Sequence, residues 1–287
     1  MGNPLRIGVK LVPQDTTVAT LRAFWRFADE SGFDHLWVYD HLAGVGTAGL
    51  AAPDPAVDLL DGWSLLAAMA SETSRIRLGC LVTANTFRHP AVLAKIATTV
   101  DHLSGGRLEF GLGAGWNEYE HAMLNLRLGP PRERIERLDE AVRIIRALWS
   151  PAPTVDFAGT HYQLSGAVAS PKPVQRPSPP LWLGGTGEKR MLRLVAEHAD
   201  VWNLVNHSGL EEAVRLSGVL DRWCAEIGRD PGEIRRSVQF RADPATVVEQ
   251  VKPWAAQGFT EIVLFVGPEQ PLADLEQIAE RLPELRG

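Results

Sequence analysis

The chain has 287 residues, 45% hydrophobic and 22% charged, with a net charge of −6. These values exclude an intrinsically disordered chain and a whole-surface affinity for nucleic acid or anionic lipid. No apolar run approaches the ~18 residues that a membrane span needs, and the opening MGNPLRIGVKLVPQD lacks the charged start and long apolar core of a secretion signal. The expectation is a cytoplasmic protein with no membrane and no nucleic-acid partner. Its two cysteines, Cys80 and Cys224, are too few for a disulfide framework or a metal cluster and read as small buried residues.

Strand-like and helix-like runs alternate from end to end. Residues 5–11 (LRIGVKL) form a short strand between Pro4 and Pro13, and residues 16–31 a helix in which Val18, Leu21, Trp25 and Ala28 share one face. Gly32 stops that helix, and residues 33–39 (FDHLWVY) form the second strand. A loop over residues 43–61 precedes a helix at 63–71 and a third strand at 76–82 (IRLGCLV). Pro90 opens a helix to about Leu103, and residues 107–112 (RLEFGL) form the fourth strand. Residues 132–149 are the clearest helix, with Ile135, Leu138, Val142, Ile145 and Leu148 in one apolar stripe.

The pattern then breaks. Residues 154–164 read as a small hairpin with Gly159 in its turn, and residues 170–180 hold five prolines and form an extended connection. Residues 181–184 are the fifth strand and 189–197 its helix. Strands at 199–205, 234–240 and 261–266 follow, with helices at 210–227, 245–257 and 272–285. Eight strand–helix units over this length fit a (β/α)8 TIM barrel, read as a single domain over 1–287, with an insertion at 151–180 between strands four and five. A doubly wound sheet would want GxGxxG after the first strand, where this chain has VPQDTT.

In such a barrel the strands' C-terminal ends carry the chemistry. The second strand ends in Asp40 and His41, a carboxylate beside an imidazole that suits a proton relay. The plainer reading of Asp40 is a cap on nearby backbone N–H groups. The third strand ends in LVTANTFRHP, where Thr83, Asn85 and Thr86 offer polar groups or ordinary loop chemistry. The fourth ends in GLGAGWNEYEH, whose glycines allow close approach of a flat ligand and whose Asn117 both donates and accepts; a tight turn plugged by Trp116 is the alternative. The fifth runs into LGGTGEKR with a helix expected directly after it, an arrangement suited to phosphate. The strand ends RADP and VGPE, where many barrels hold phosphate, are poor in glycine. Trp116 and Trp202 lie near strand ends and would line a pocket, whereas Trp25 and Trp149 read as core. No metal motif and no GxSxG elbow is present.

Four segments in order resemble the luciferase-like flavin and deazaflavin oxidoreductase superfamily: FDHLWVYDHL, the run from SRIRLG to NEYEH, RIERLDEAVRIIRALW, and PPLWLGGTGEKRMLRLVAEHADVWN. The whole looks most like the branch that uses coenzyme F420, with an FMN-dependent luciferase-like monooxygenase as the alternative. The resemblance implies an oxidoreductase acting on a small organic substrate, and a homodimer. It places Asp40 and His41 at the deazaflavin ring, with His41 as the proton relay. It implies a cis peptide between Leu81 and Val82 behind the ring, with Thr83 and Ala84 beside it. It assigns Asn117 to the cofactor's polar edge or side chain, and Gly184, Gly185, Thr186 and Gly187 to its phosphate. Ala114 stands where some sugar-phosphate dehydrogenases of this branch carry a carboxylate, and the loop at 43–61 mixes Ala, Gly and Leu with three aspartates. Ala114, with no evident counterparts to the lysines and arginine expected to grip a sugar phosphate, points away from that substrate, and the loop suggests an apolar or mixed small molecule.

Overall fold

Side chains alternate along the first strand, and the alternation sets two faces of a barrel. In β1 (Arg6–Leu11), Ile7, Val9 and Leu11 join the main apolar core under the helices, while Gly8 and Lys10 face the interior. The computed structural model describes residues 4–44, 53–205, 209–266 and 272–287. Its further elements, in chain order, are α1 (Val18–Glu30), β2 (His35–Val38), α2 (Gly62–Glu72), β3 (Arg77–Ala84), α3 (Pro90–Leu103), β4 (Leu108–Gly113), α4 (Glu118–Met123) and α5 (Pro131–Trp149). They continue with β5 (Val155–Ala158), β6 (Gln163–Ala167), β7 (Leu181–Gly184), α6 (Met191–His198), β8 (Val201–Val205) and α7 (Gly209–Ile227). The last are β9 (Arg235–Arg241), α8 (Val247–Ala256), β10 (Phe259–Val266), α9 (Leu272–Glu280) and α10 (Leu282–Arg286).

The barrel closes in the order β1-β10-β9-β8-β7-β4-β3-β2, and neighbouring strands are parallel throughout. Each strand is covered on both faces, which is why the strands read as near-continuous apolar runs. The hairpin β5–β6 lies between β4 and β7 and forms its own two-stranded antiparallel sheet, so the insertion falls where the proline-rich break put it.

The N-terminal end of the barrel is plugged by charge. Glu109 and Glu261 are buried there, paired with Arg77 and with Arg6 and Arg235 respectively. His35 Nε2 bonds Glu261 at 3.0 Å, and the Trp182 indole donates to Glu109 at 2.6 Å. Burial pushes the Glu261 carboxyl up, but the His35 bond and the arginines outweigh it and hold the group below its ordinary value. Gly8 is required beside this plug, because a Cβ there would stand 1.7 Å from His35 Nδ1. The opposite end is left free for a cavity.

Several expected boundaries move for local reasons. The helix expected over 272–285 is two helices, because Pro283 in the first turn of α10 cannot continue α9. The hairpin's second strand runs to Ala167, beyond the expected end at 164. Helix α4 has no counterpart among the expected elements; Asn117 caps it, accepting from the N–H groups of Tyr119 and Glu120. Within the loop at 43–61, residues 45–52 lie outside the described residues, as do 267–269 of the VGPE run. Among the described residues, no helix is long and apolar enough to cross a membrane.

Candidate active site

A cavity of about 470 Å³ opens among the C-terminal ends of the strands. Its walls divide by strand. The ends of β3, β4 and β7 supply Leu81, Val82, Asn117, Gly184 and Thr186, while β1, β8 and β9 supply Lys10, Asn203 and Gln239. Asp40 and His41, just past β2, stand between the two sets. A wider groove adjoins it across Val82, Gly115, Trp116 and the Gly184–Gly185–Thr186 turn, and is bordered by Arg132, Arg134, Lys189 and Arg190.

Asp40 is 1% exposed and pairs with Arg88 at 2.5 Å. Among the described residues it caps no backbone group, and its second oxygen has no hydrogen-bond partner. Burial raises its carboxyl above the ordinary value, and the Arg88 charge opposes the rise without cancelling it. His41 is held from the other side of the cavity. Its Nδ1 lies 2.7 Å from Glu120 Oε2, and the ring is edge-on to Tyr39 and Trp116 at 5.2 and 5.8 Å. Glu120 is wholly buried, and its other oxygen accepts from the N–H groups of Leu42 at 2.5 Å and Ala43 at 3.2 Å. Burial pushes Glu120 up, but the His41 bond and charge and the two N–H groups outweigh it, so the net direction is down. An ionised Glu120 fixes the proton on His41 Nδ1 and leaves Nε2 as the nitrogen that can exchange one.

Asn117 does two things at once. Its oxygen caps α4, while its buried Nδ2 has no partner among the described residues and the residue borders the cavity. The turn that carries it is locked in place: His121 bonds the Asn117 carbonyl at 2.6 Å and Thr86 Oγ1 at 2.7 Å. Gly115 sits at φ +81°, and a Cβ there would lie 2.4 Å from Thr86 Oγ1, so glycine is needed.

The Leu81–Val82 peptide is cis, and Leu81, Val82 and Ala84 border the cavity. Thr83 does not; its hydroxyl accepts from the Trp63 indole at 2.9 Å. Thr86 and Asn85 are likewise engaged in loop contacts, Asn85 with the Tyr162 hydroxyl at 3.3 Å. Gly184, Gly185 and Thr186 border both openings and Gly187 the groove alone. The expected helix does not follow this turn directly: residues 188–190 form a further turn and α6 starts at Met191. Trp116 lines the cavity and is 56% exposed, but Trp202 is fully buried in the core and instead donates to the Gly185 carbonyl at 2.8 Å.

Sequence reasoning missed Glu120, Arg88 and Lys10. Glu120 follows Asn117 by three residues, the spacing of a capping pair, which was a usable signal. Lys10 is a lone charge at the inward position of an apolar strand, at its C-terminal end, which was another. Arg88 carries no spacing signal.

A family model described as luciferase-like monooxygenase matches residues 4–284. An uncharacterized protein of Mycobacterium tuberculosis is 32% identical over 288 residues, covering 97% of each chain. An F420-dependent glucose-6-phosphate dehydrogenase of Kineococcus radiotolerans is 31% identical over 265 residues, covering 90% of this chain and 75% of that protein. The solved coenzyme F420 dependent tetrahydromethanopterin reductase of Methanopyrus kandleri shares the fold, with a TM-score of 0.83 at 18% identity over 99% of this chain and 100% of that one.

Proposed function

The chain belongs to the luciferase-like monooxygenase family, and within it we propose a coenzyme F420-dependent oxidoreductase that passes a hydride between the deazaflavin C5 and a small organic substrate. The observation that carries this reading is the cavity itself: unpartnered polar atoms of Asn117 and Asp40 stand beside the apolar wall of Leu81 and Val82. A tricyclic ring with a polar edge satisfies both features. Relatives near this level of identity that bear the F420-dependent name support the choice over FMN.

The cofactor supplies the hydride; the chain supplies position, exclusion of water and proton handling. Leu81, Val82 and Ala84 would back the ring. Asn117 would donate from Nδ2 to the ring's polar edge. Gly184, Gly185, Thr186 and Gly187 would hold the phosphate, with Arg132, Arg134, Lys189 and Arg190 supplying positive charge along the adjoining groove. His41, oriented by Glu120, would hold or move a proton at Nε2. Asp40, fixed by Arg88, would face the ring with its free oxygen. We read the chain as one barrel domain acting as a cytoplasmic homodimer, which fractionation and light scattering test.

Titrating purified protein into F420 and following quenching of the deazaflavin fluorescence tests the reading. Saturable quenching supports it. Tight retention of FMN, with oxygen consumed in the presence of substrate, would replace it with the monooxygenase reading.

A further inference from the structure

We propose that Lys10 is the acid on the substrate side of the cavity, and that the hydride acceptor is a ketone or aldehyde whose oxygen docks on Lys10 Nζ. The proposal rests on the F420 reading for its hydride. It rests on the structure for everything else.

Lys10 sits at the C-terminal end of β1, faces inward and is only 6% exposed, yet it borders the cavity. A buried ammonium is normally paired with a carboxylate. Among the described residues Lys10 is not. Its Nζ donates to Gln239 Oε1 at 2.8 Å, the Gln239 Nε2 donates to Asn203 Oδ1 at 2.9 Å, and the Asn203 Nδ2 donates to Ser237 Oγ at 2.9 Å. The chain ends in neutral groups, so it orients the amine without neutralising it. The rings of Tyr39 and Phe265 flank Nζ at 5.7 and 4.8 Å from their centroids.

The carboxylates bordering the same cavity are spent elsewhere, Asp40 on Arg88 and Glu120 on His41. Lys10 therefore stands as a donor at the cavity wall with no carboxylate beside it among the described residues. It faces the wall opposite Asn117 and the Gly184 turn, where the cofactor is proposed to lie. A carbonyl oxygen accepts such a donor and takes up negative charge as the hydride arrives. An iminium or ammonium substrate would be repelled by it.

The proton balance closes. The carbonyl carbon gains a C–H bond as the C5–H bond of reduced F420 breaks, the C=O π bond breaks toward oxygen, and oxygen takes a proton as a Lys10 N–H bond breaks. The carbonyl is reduced and F420 oxidised; the products are an alcohol, oxidised F420 and a neutral amine, which regains its proton from water. Burial pulls the Lys10 ammonium down to about 7, against a small opposing effect of Cys80, so both forms are accessible near neutrality. The titratable groups around it are Tyr39 and Cys80, both raised by burial, and then Asp40, His41 and Glu120.

The test uses F420-loaded protein with cyclohexanone, acetophenone and benzaldehyde as probes, following oxidation of reduced F420. The wild type should reduce at least one of them. Lys10→Met should lower kcat/KM about 100-fold or more, the range of a lost general acid, with the F420 Kd changed less than about threefold. Gln239→Glu should move the alkaline limb of the kcat profile upward by about one pH unit or more, because a carboxylate against Nζ favours the ammonium. A merely structural lysine would not move that limb. No carbonyl turnover by F420-loaded wild type, full activity in Lys10→Met, or an unmoved limb in Gln239→Glu would each overturn the proposal. If Lys10→Met does not fold, the Gln239→Glu profile decides. Failure of F420 to bind at all is read separately, by quenching, and would overturn the underlying cofactor assignment.

Discussion

Replacing Lys10 with Met should make this protein more stable while disabling it. Burial lowers the Lys10 ammonium from 10.5 to about 7. At about 1.4 kcal/mol for each pH unit between those values, holding that charge in place at pH 7 costs about 4–5 kcal/mol relative to a pH at which the amine is neutral in both states. Met has a similar length and no charge, so the variant escapes this cost. It also leaves Gln239 Oε1 without its donor, a loss of about 1–3 kcal/mol. The net gain is about 1–4 kcal/mol. For a chain of 287 residues, an unfolding entropy of roughly 0.6 kcal/mol/K turns this into a Tm rise of about 2–7 °C. The pH dependence carries the sharper signature. Between about 7 and 10.5 the unfolded chain binds a proton that the folded protein has released, so the wild type gains stability as pH rises. At pH 7 the folded amine is still half protonated, so the advantage of Lys10→Met should shrink by about 2 kcal/mol in all between pH 7 and 9. Urea denaturation at pH 7, 8 and 9 measures it. A variant that is less stable than wild type at pH 7, or a difference that does not change with pH, would refute the reasoning.

Three other substitutions probe the opposite wall. Glu120→Gln removes the carboxylate that fixes His41 and weakens the bonds to Leu42 and Ala43; kcat should fall about 10- to 100-fold with little change in cofactor Kd, as for loss of an orienting partner. Because Glu120 is held below its ordinary value, its contribution to stability is present above about 4.5 and is lost as pH falls through the folded value. Acid melts of Glu120→Gln should accordingly be flatter than those of wild type. Asn117→Ala removes both the α4 cap, about 1 kcal/mol, and the unpartnered Nδ2; F420 affinity should drop about 5- to 10-fold by fluorescence titration, and unchanged affinity would remove Asn117 from the binding site. Asp40→Leu leaves Arg88 with the partly exposed Asp61 as its other carboxylate, and loss of about 3 kcal/mol in a chemical melt is expected for a broken buried pair.

The barrel was legible in the sequence because eight βα units, each bounded by Gly, Pro or a cap, leave few alternatives, and because the proline-rich break between units four and five had nowhere else to go. The positions of Asp40, His41, Asn117 and the Gly184 turn followed from the strand count alone. Their partners did not. Glu120 holds His41 from 79 residues away in sequence, and Arg88 holds Asp40 from 48. Such pairings are set by barrel closure: Arg88 leaves no local trace, and Glu120 only its three-residue spacing from Asn117. Thr83 lies one residue from the cis peptide, which suggests a place at the site, but a one-residue step along a strand turns a side chain to the other face, toward Trp63. Trp202 misleads for the same reason: position near a strand end does not fix direction, and its indole serves the core and the Gly185 carbonyl. Lys10 shows in the sequence only as a lone charge in an apolar strand, and barrel closure is what sets it against the cavity.

The cofactor assignment is tested most directly by competition. Purified protein loaded with equimolar F420 and FMN, then passed through gel filtration, should retain F420 in preference by roughly tenfold or more, a difference of about 1.4 kcal/mol in binding. Retention of FMN with F420 washed free would contradict the account.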